Sequence, residues 1–322
     1  MKKFYSFIIV ICILAVSPLI SPAQNVEIIR YGDFENWITR SIKESAIIGG
    51  KTKNVYEIGP EATIPGDRPY TNRGGSPWAT SNVLAKVMGV TKTSNAVYPD
   101  TRSGSNRCAK LTTHMEQCKA VGVINVDVMV AGSIFLGKML EPVRNTKNPY
   151  SKMEMGIPFT KRPKALRYDY KLSIPQGAGR IYSSGFGSKK QLPGTDKAEV
   201  LVFLQRRWED AQGNIFAKRV GTGRELLGRS TSGWVNDHRL KINYGDITST
   251  PGFKPFMGLI PEAKSYYARN SKGKMVPVRE VGWDDASATP THVILMMSSG
   301  SGEPYTGTPD MTFWVDNVGF VY

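Results

Sequence analysis

The chain has 322 residues, 40% of them hydrophobic, and a formal net charge of +15 at pH 7. This length suits one large β domain or two small domains. The basic residues are scattered in pairs such as Arg206-Arg207 and form no basic aromatic ribbon, which argues against a nucleic-acid-binding protein. The excess of positive charge fits either a solvated surface or an anionic partner such as an acidic polysaccharide.

The N-terminal segment predicts export. Two lysines precede an apolar run that ends at Ile20, and Ser21-Pro22-Ala23 forms a small-x-small cleavage pattern before Gln24. These features are typical of a secretory signal peptide, here residues 1–23. A transmembrane anchor is the competing interpretation, but the apolar run is short and is interrupted by Ser and Pro. We therefore expect an exported chain, periplasmic, surface-displayed or secreted, with no transmembrane segment after cleavage.

Export sets the expectation for the cysteines. Cleavage would remove Cys12 and leave Cys108 and Cys118, an even pair in an oxidising compartment. A disulfide between these two residues is then the default expectation. A zinc site is not expected, because the three histidines show no metal-ligand spacing.

Strand patterns recur along the whole chain and predict an all-β jelly-roll β-sandwich in one large domain, residues 24–322. In "ALRYDYKL", Leu166, Tyr168, Tyr170 and Leu172 share one face. The long apolar run "AVGVINVDVMVAGSIFLG" is split by glycines and predicts two core strands. The further predicted strands are "CAKLTTH", "KAEVLVFLQ", "HRLKINY" and "HVILMM". "ESAIIGGKTKN" and "QGAGRIYSSGFGSKKQLPG" are predicted to be long surface loops.

Several enzymatic signatures are absent from the sequence. "SAIIGGKT" has Ser45 where a phosphate-binding loop needs its first glycine, and "GTGRELLG" lacks the third-glycine spacing of a dinucleotide-binding loop. No Gly-x-Ser-x-Gly elbow and no His-Glu-x-x-His pattern occur. The sequence therefore gives no support to serine hydrolase or metalloprotease chemistry.

Aromatic residues in polar loops are candidates for sugar binding, because the apolar face of a pyranose stacks on a flat ring. Trp78, Trp234 and Trp283 have such surroundings. Trp208 and Trp314 lie in strand-like runs, so we expect them in the core.

Polar partners for sugar hydroxyls are predicted next to these rings. "VGWDDASATP" places Asp284 and Asp285 beside Trp283, and Arg162 lies in "KRPKALRY". The competing interpretation of the two aspartates is a turn with an Asp cap. Glycoside hydrolysis needs two carboxylates that flank the bond, and adjacent strand residues point to opposite faces, so this pair alone is not a catalytic pair.

The closing strand "MTFWVDNVGFVY" raises a question about Asp316. On an alternating strand it shares a face with Trp314, Val318, Phe320 and Tyr322, and a buried carboxylate needs a partner. The first and last strands of a jelly roll commonly lie side by side, which would bring Glu35 of "GDFENW" next to Asp316. Two adjacent carboxylates repel unless a cation joins them, so we predict a structural calcium ion held by Glu35 and Asp316. The alternative is that Asp316 caps backbone amides in a bulge.

These motifs also carry a family resemblance. "GDFENW", "TRSGSNRCAKLTT" and "FWVDNVGFVY" resemble the layout of calcium-containing, jelly-roll carbohydrate-binding modules. The longer series, including "PWATSN", "AGSIFLGKM", "GIPFTKRPKALRYDYKL" and "HVILMMSSGSGEPYTG", resembles the putative carbohydrate metabolism domain of exported Bacteroidetes proteins. The resemblance is clearest over residues 75–322, and it implies a jelly-roll fold, export and a role in sugar handling.

The leading hypothesis is therefore an exported carbohydrate-binding or glycan-handling accessory protein without catalysis, whose partner is a polysaccharide or glycan, including anionic ones. The first alternative is a glycoside hydrolase or lyase that uses two carboxylates at an open cleft. The second is a surface or fimbria-like structural protein that pairs with a partner through an edge strand, which a free N-terminal strand would favour.

Overall fold

The structure is a computed structural model that describes residues 25–120, 124–185 and 187–322. The predicted signal peptide, residues 1–23, and Cys12 lie outside the described residues. Within those ranges the helical elements are five short 3-10 turns: Ala46–Ile48, Arg73–Gly75, Pro149–Lys152, Pro255–Met257 and Glu262–Lys264. No helix in the described part of the chain is long and apolar enough to cross a membrane.

Strands make up the rest of the regular structure and are numbered in chain order. The first thirteen are β1 (Val26–Ile28), β2 (Trp37–Lys43), β3 (Thr52–Ile58), β4 (Ala62–Pro65), β5 (Trp78–Thr80), β6 (Val83–Val87), β7 (Val90–Ser94), β8 (Val97–Ser103), β9 (Asn106–Ala120), β10 (Ile124–Ala131), β11 (Ser133–Met139), β12 (Met153–Met155) and β13 (Ile157–Pro158).

The second half of the chain contributes the strands that form most of the core. They are β14 (Ala165–Ser173), β15 (Arg180–Tyr182), β16 (Ser184–Gly185), β17 (Lys190–Leu192), β18 (Ala198–Glu209), β19 (Ile215–Leu227), β20 (Val235–Lys241), β21 (Asn243–Tyr244), β22 (Tyr267–Arg269), β23 (Met275–Trp283), β24 (His292–Ser298), β25 (Thr306–Gly307) and β26 (Thr312–Val321).

Two of the sheets pack face to face as a sandwich. The first sheet has the order β16-β10-β9-β26-β14-β20, with β8 also paired to β9 and β1 to β26. Its inward side chains, such as Leu111, Phe313 and Leu166, share one buried cluster with Val202 of β18 and Leu295 of β24 from the second sheet. The predicted all-β jelly-roll sandwich is therefore confirmed as the fold class.

The second sheet closes on itself, which the sequence did not predict. Strands β24, β18, β19, β23, β22, β12 and β11 follow one another, and β11 pairs again with β24, so that they form a seven-stranded barrel. Gly137 of β11 allows the barrel to close tightly, because a Cβ atom there would lie 2.0 Å from the carbonyl oxygen of Glu154 on β12. The barrel shares β11, β18, β19 and β24 with the sandwich.

Strand β18 contributes side chains both to the sandwich core and to the barrel interior. Val200, Val202 and Leu204 belong to the sandwich core, whereas Leu201 and Phe203 belong to a separate buried cluster on the barrel side. Because both faces of the strand are buried, its sequence is a continuous apolar run instead of an alternating one. Glu199 lies at the end of the barrel-side row, where the barrel opens.

The first and last strands of the described residues lie side by side as predicted, since β1 pairs antiparallel with β26 and Val26 faces Val321. The predicted alternation of the closing strand is wrong beyond Asp316. Asn317 has a left-handed φ of 52°, which shifts the alternation by one residue. Phe313 and Val315 therefore face the core before this point, and Val318 and Phe320 face it after this point.

The two predicted loops are only partly irregular. "ESAIIGGKTKN" contains the first 3-10 turn and the start of β3, and "QGAGRIYSSGFGSKKQLPG" contains β15, β16 and β17. β15 pairs with β17 and with β25, so the second segment is tied to the chain near its C-terminal end. This pairing fixes the position of Arg180.

Candidate functional site

A cavity of about 580 Å³ opens at one end of the barrel. Its floor consists of barrel-side residues at the ends of β11, β18, β19 and β24, namely Ser133, Glu199, Arg224, Met296 and Ser298. Its outer wall includes residues of β7, β9 and β10. Cavities of this size bind small organic ligands, and the mouth of a β-barrel is a common place for them. We refer to it below as the barrel-mouth cavity.

The floor carries a buried ion pair between Glu199 and Arg224. The Nε atom of Arg224 lies 2.6 Å from Oε1 of Glu199, and the same guanidinium also donates to the carbonyl of Phe256. Glu199 is only 4% exposed. Burial raises the pKa of the Glu199 carboxyl, Arg224 opposes that shift in part, and Asp196 adds to it. The pair offers both donors and acceptors at the bottom of the cavity.

Two tyrosines form an aromatic wall. The rings of Tyr150 and Tyr266 meet edge to face, with centroids 5.8 Å apart. Burial, together with the negative charges of Glu199 and Glu303, raises the pKa of Tyr150 to about 12. The Tyr150 hydroxyl is therefore protonated at neutral pH and can donate a hydrogen bond.

Hydroxyl groups and charges surround this wall. Ser133 Oγ and Ser298 Oγ lie 2.8 Å apart on the floor. At the rim, Lys264 pairs with Glu303, and Arg180 and Lys152 add two further cations. The cavity therefore combines apolar surface with several convergent polar groups.

Asp316 has a partner that the sequence did not reveal. Nη1 of Arg102 lies 2.5 Å from Oδ2 of Asp316 and 2.7 Å from Oδ2 of Asp169 on the neighbouring strand. Burial raises the pKa of Asp316, and Arg102 opposes the rise. Burial also acts to raise the pKa of Asp169, but hydrogen bonds from the Asp237 amide, Arg102 and Asn317 bring it below its usual value. The predicted pairing of Asp316 with Glu35 is therefore wrong.

Glu35 lies instead against the start of β9, where both carboxylate oxygens are 3.2 Å from the Arg107 amide. Asp33 lies two residues before Glu35, and Asn106 lies one residue before Arg107. The Oδ1 atom of each is buried without a hydrogen-bond partner in the described part of the chain. Such oxygens suit calcium. However, no group of three or more His, Cys, Asp or Glu side chains within the described ranges is arranged to hold a metal. The calcium ion stays a prediction, with Glu35 as its remaining predicted ligand.

Trp78 does not lie in a sugar site. It is 1% exposed, packs edge to face on Phe34, and donates from Nε1 to the Arg30 carbonyl. The prediction that Trp78 stacks on sugar is wrong, because Trp78 belongs to the edge strand β5 within the "PWATSN" segment, and all three residues of this strand are buried.

Trp283 and its predicted neighbours lie at the other end of the barrel. Nε of Arg206 lies 2.5 Å from Asp284, and Asp285 accepts from the amide and hydroxyl of Ser287 as an Asp-capped turn. Arg162 donates to the carbonyls of Ala286 and Ala288 and stacks on the ring of Tyr244 at 4.2 Å. The structure thus brings Arg162 and the two aspartates to one turn, in contacts that stabilise the turn itself.

Trp234 and Trp314 lie on the outer face of the first sheet. Cζ of Arg102 is 4.5 Å from the ring centre of Trp234, and Nζ of Lys171 is 4.1 Å from that of Trp314. Trp314 is half-buried and Trp208 is 42% exposed, so the prediction that both are core residues is wrong. A sugar-binding role for Trp234 and Trp283 stays a prediction.

Cys108 and Cys118 do not form the predicted disulfide, since both are free. They lie ten residues apart on the single extended strand β9. At about 3.3 Å per residue this separates them by about 33 Å, whereas a disulfide requires Cα atoms within about 7 Å. Burial raises the pKa of Cys108 to about 12.

Sequence patterns missed the barrel-mouth residues. Glu199 begins the run "EVLVFLQ", where it reads as a strand end, and Arg180 lies in a segment predicted to be a loop. One sequence signal did point to the barrel. Glu199 and Gln205 are polar residues at the two ends of the strand face that carries Leu201 and Phe203, as expected where a strand face opens at both ends of a barrel. The remaining contributors are distant in sequence, so no local motif joins them.

Comparisons with known proteins agree with the family resemblance. The model of the putative carbohydrate metabolism domain matches residues 33–244. No curated protein sequence matches the chain. The chain is similar to a crystal structure described as a putative glycoside hydrolase from Bacteroides thetaiotaomicron VPI-5482, with a TM-score of 0.43, 16% identity, and coverage of 85% of this chain and 76% of that one. It is also similar to one described in the same words from Bacteroides vulgatus ATCC 8482, with a TM-score of 0.41, 14% identity, and coverage of 92% and 95%. Because the matched segment spans most of the chain, the protein belongs to the putative carbohydrate metabolism domain family.

Proposed function

We propose that the protein is an exported carbohydrate-binding protein that holds a glycan in the barrel-mouth cavity. The observation that carries the proposal is the composition of that cavity. A tyrosine wall adjoins a buried carboxylate–guanidinium pair and a set of serine hydroxyls. Membership of a carbohydrate-related family gives independent support.

Each part of the cavity matches one need of sugar recognition. A pyranose has an apolar C–H face, which the half-buried ring of Tyr150 can contact. It also has hydroxyl groups that donate and accept. Glu199 can accept from them and Arg224 can donate to them, and both are already held by their mutual ion pair. Groups fixed before binding lose little conformational freedom when the ligand arrives.

Glycoside hydrolysis is the second candidate. Glu199 and Glu303 are two of the carboxylates that line the cavity, and the charges of both raise the pKa of Tyr150. Glu303, however, is exposed and paired with Lys264, and Glu199 is held by Arg224. Neither carboxylate is free of a cation, which favours binding over acid–base chemistry. The structural-protein alternative loses its main support, because β1 is paired with β26.

The experiment is a glycan-array screen of the mature protein together with two variants. Tyr150→Ala removes the more exposed of the two rings that form the tyrosine wall. Trp208→Ala is the matched control, because this ring is 42% exposed and stacks on Phe216, away from the cavity. Loss of about tenfold in affinity is expected for Tyr150→Ala, since a stacked aromatic contact contributes on the order of 1 kcal/mol beyond its buried area. No change is expected for Trp208→Ala.

The opposite pattern, with binding lost in Trp208→Ala and retained in Tyr150→Ala, would move the site to the outer surface. A parallel incubation analysed for new reducing ends tests the second candidate. Sugar release that disappears in Glu199→Gln would establish hydrolysis in the cavity.

A further inference from the structure

The barrel-mouth cavity is lined by more cationic than anionic side chains. Of the residues that the structure describes, eight charged side chains line it: Lys92, Glu116, Lys152, Arg180, Glu199, Arg224, Lys264 and Glu303. Each of the three carboxylates has a cation of this set as its partner, in the pairs Lys92–Glu116, Arg224–Glu199 and Lys264–Glu303. Arg180 and Lys152 remain, and no carboxylate pairs with either of them among the described residues.

Arg180 is the more informative of the two cations. Its Nε atom is buried and has no hydrogen-bond partner within the described ranges. A buried donor left unpaired is destabilising, so such a group usually has an acceptor when the protein functions. The residues outside the described ranges contain no Asp or Glu, so they hold no carboxylate side chain for it.

The neighbourhood fixes where the Arg180 guanidinium lies. β15 pairs with β17 and β25, which holds the backbone on both sides. Gly302 lies directly against the side chain, because a Cβ atom at that position would be 2.5 Å from Nη2 of Arg180. Both residues line the barrel-mouth cavity. The guanidinium thus lies against Gly302 in the cavity wall.

We propose that the barrel-mouth cavity takes an acidic glycan, whose anionic substituent pairs with Arg180. This inference rests on the proposed function and narrows its ligand to sugars that carry a carboxylate or a sulfate ester. A guanidinium presents its N–H groups in a planar fork that fits the two oxygens of either group. Lys152 supplies a second cation on the same cavity for the same substituent or the next one along the glycan.

The test compares tetrasaccharides of matched length by calorimetric titration. Hyaluronan tetrasaccharide carries carboxylates alone, keratan sulfate tetrasaccharide carries sulfates alone, and chitotetraose is neutral. The wild-type protein should bind at least one of the acidic sugars more tightly than chitotetraose. The first two arms show whether the substituent is a carboxylate or a sulfate.

Variants then assign the preference to Arg180. Arg180→Gln should weaken binding of the acidic sugar by about tenfold or more, because a hydrogen bond between charged groups contributes about 1.5–3 kcal/mol. Arg180→Lys should restore part of the loss, since it keeps the charge without the fork. Gly302→Ala should act in the same direction, because its Cβ atom displaces the flexible end of Arg180. The matched control is Arg229→Gln, a change of the same kind at an exposed position that does not line the cavity.

Three results would overturn the inference. Binding of chitotetraose with no binding of either acidic sugar would contradict it while leaving the proposed function intact. Equal loss in Arg180→Gln and Arg229→Gln would mean that a basic surface attracts anions without a specific site. Binding of none of the three sugars, with no glycan bound on the array, would reject both proposals.

Discussion

Nη1 of Arg102 lies between Oδ2 of Asp316, at 2.5 Å, and Oδ2 of Asp169, at 2.7 Å. The two carboxylates face each other across β14 and β26, and both are almost fully buried. One guanidinium therefore separates two like charges that would otherwise repel. The contact ties the hairpin of β8 and β9 to the centre of the first sheet.

Replacing this cation should destabilise the protein strongly. Arg102→Gln leaves two buried carboxylates without their shared partner, and breaking a buried ion pair costs about 3–5 kcal/mol. The free energy of unfolding from urea titration measures the effect. Arg239→Gln is a control in an exposed ion pair with Asp237, where we expect a change below about 1 kcal/mol.

A second substitution tests whether charge is the cause. Arg102→Gln combined with Asp316→Asn removes one of the two like charges and should recover part of the lost stability. A double variant no more stable than Arg102→Gln, or a single variant within 1 kcal/mol of wild type, would contradict the role given to Arg102.

A second buried network predicts opposite effects for two glutamates. Arg40 is 1% exposed and contacts Glu57 at 2.8 Å and Glu141 at 2.7 Å. Burial raises the pKa of Glu57 to about 8, so at neutral pH Glu141 balances the charge of Arg40. Glu57→Gln should therefore cost little, whereas Glu141→Gln should cost about 3–5 kcal/mol because it leaves a buried guanidinium uncompensated. Thermal and urea unfolding at pH 7 compare the two.

The same carboxyl predicts a pH dependence. The pKa of Glu57 is about 8 in the folded protein and 4.5 ordinarily, so folding favours its protonated form. The stability from this group is complete below the ordinary pKa and is lost as the pH rises through about 8. Wild-type stability should fall between about pH 5 and pH 8, where the carboxyl is ionised in the unfolded chain and protonated in the folded protein, and Glu57→Gln should flatten that fall. Identical slopes for the two proteins would show that Glu57 does not titrate in this range.

The two cysteines should react as separate thiols. In the denatured protein without reductant, alkylation should label both Cys108 and Cys118. In the native protein Cys118 should react first, because it is half-buried while Cys108 is fully buried with a pKa raised to about 12. Mass spectrometry after timed alkylation follows both reactions, and Cys118→Ser is the control that should remove the early label. If neither cysteine is alkylated in the denatured, non-reduced protein, the two cysteines form a disulfide and the prediction of separate thiols is wrong.

Calcium should raise the melting temperature if Glu35 and its neighbours hold the ion. A ligand that binds only the folded state stabilises it by mass action. The measurement is thermal unfolding with calcium and with a chelator, for wild type and for Glu35→Gln. We expect the variant to lose the calcium response. An unchanged melting temperature in the wild-type protein, with no calcium in elemental analysis, would remove the site.

Local patterns predicted the strands well because each strand buries a face of its own. The run at Ala165–Ser173 and the split of the long apolar run at Gly132 are found as predicted. Gly132 is required there, since a Cβ atom would lie 2.3 Å from the Ala96 carbonyl. Barrel closure was not predictable, because it depends on pairings such as β12 with β22, which join residues more than a hundred positions apart.

The candidate site shows the same limit more clearly. Arg102 and Asp316 are 214 residues apart, and no local signal distinguishes this arginine from the many other basic residues. The polar sequence around Trp78 predicted an exposed ring that could bind sugar. The structure buries this ring, since the three-residue strand β5 lies entirely in the core. The residues that line the barrel-mouth cavity come from Ser81 to Thr306, and only the fold brings them together.

The central claim, that a glycan occupies the barrel-mouth cavity, is tested most directly by a crystal structure with the tightest-binding oligosaccharide from the array. We predict electron density for the sugar against Tyr150, with polar contacts to Glu199, Arg224 and Arg180. Sugar found instead on Trp234 and Trp314, or at the turn after Trp283, with an empty barrel mouth, would contradict the account.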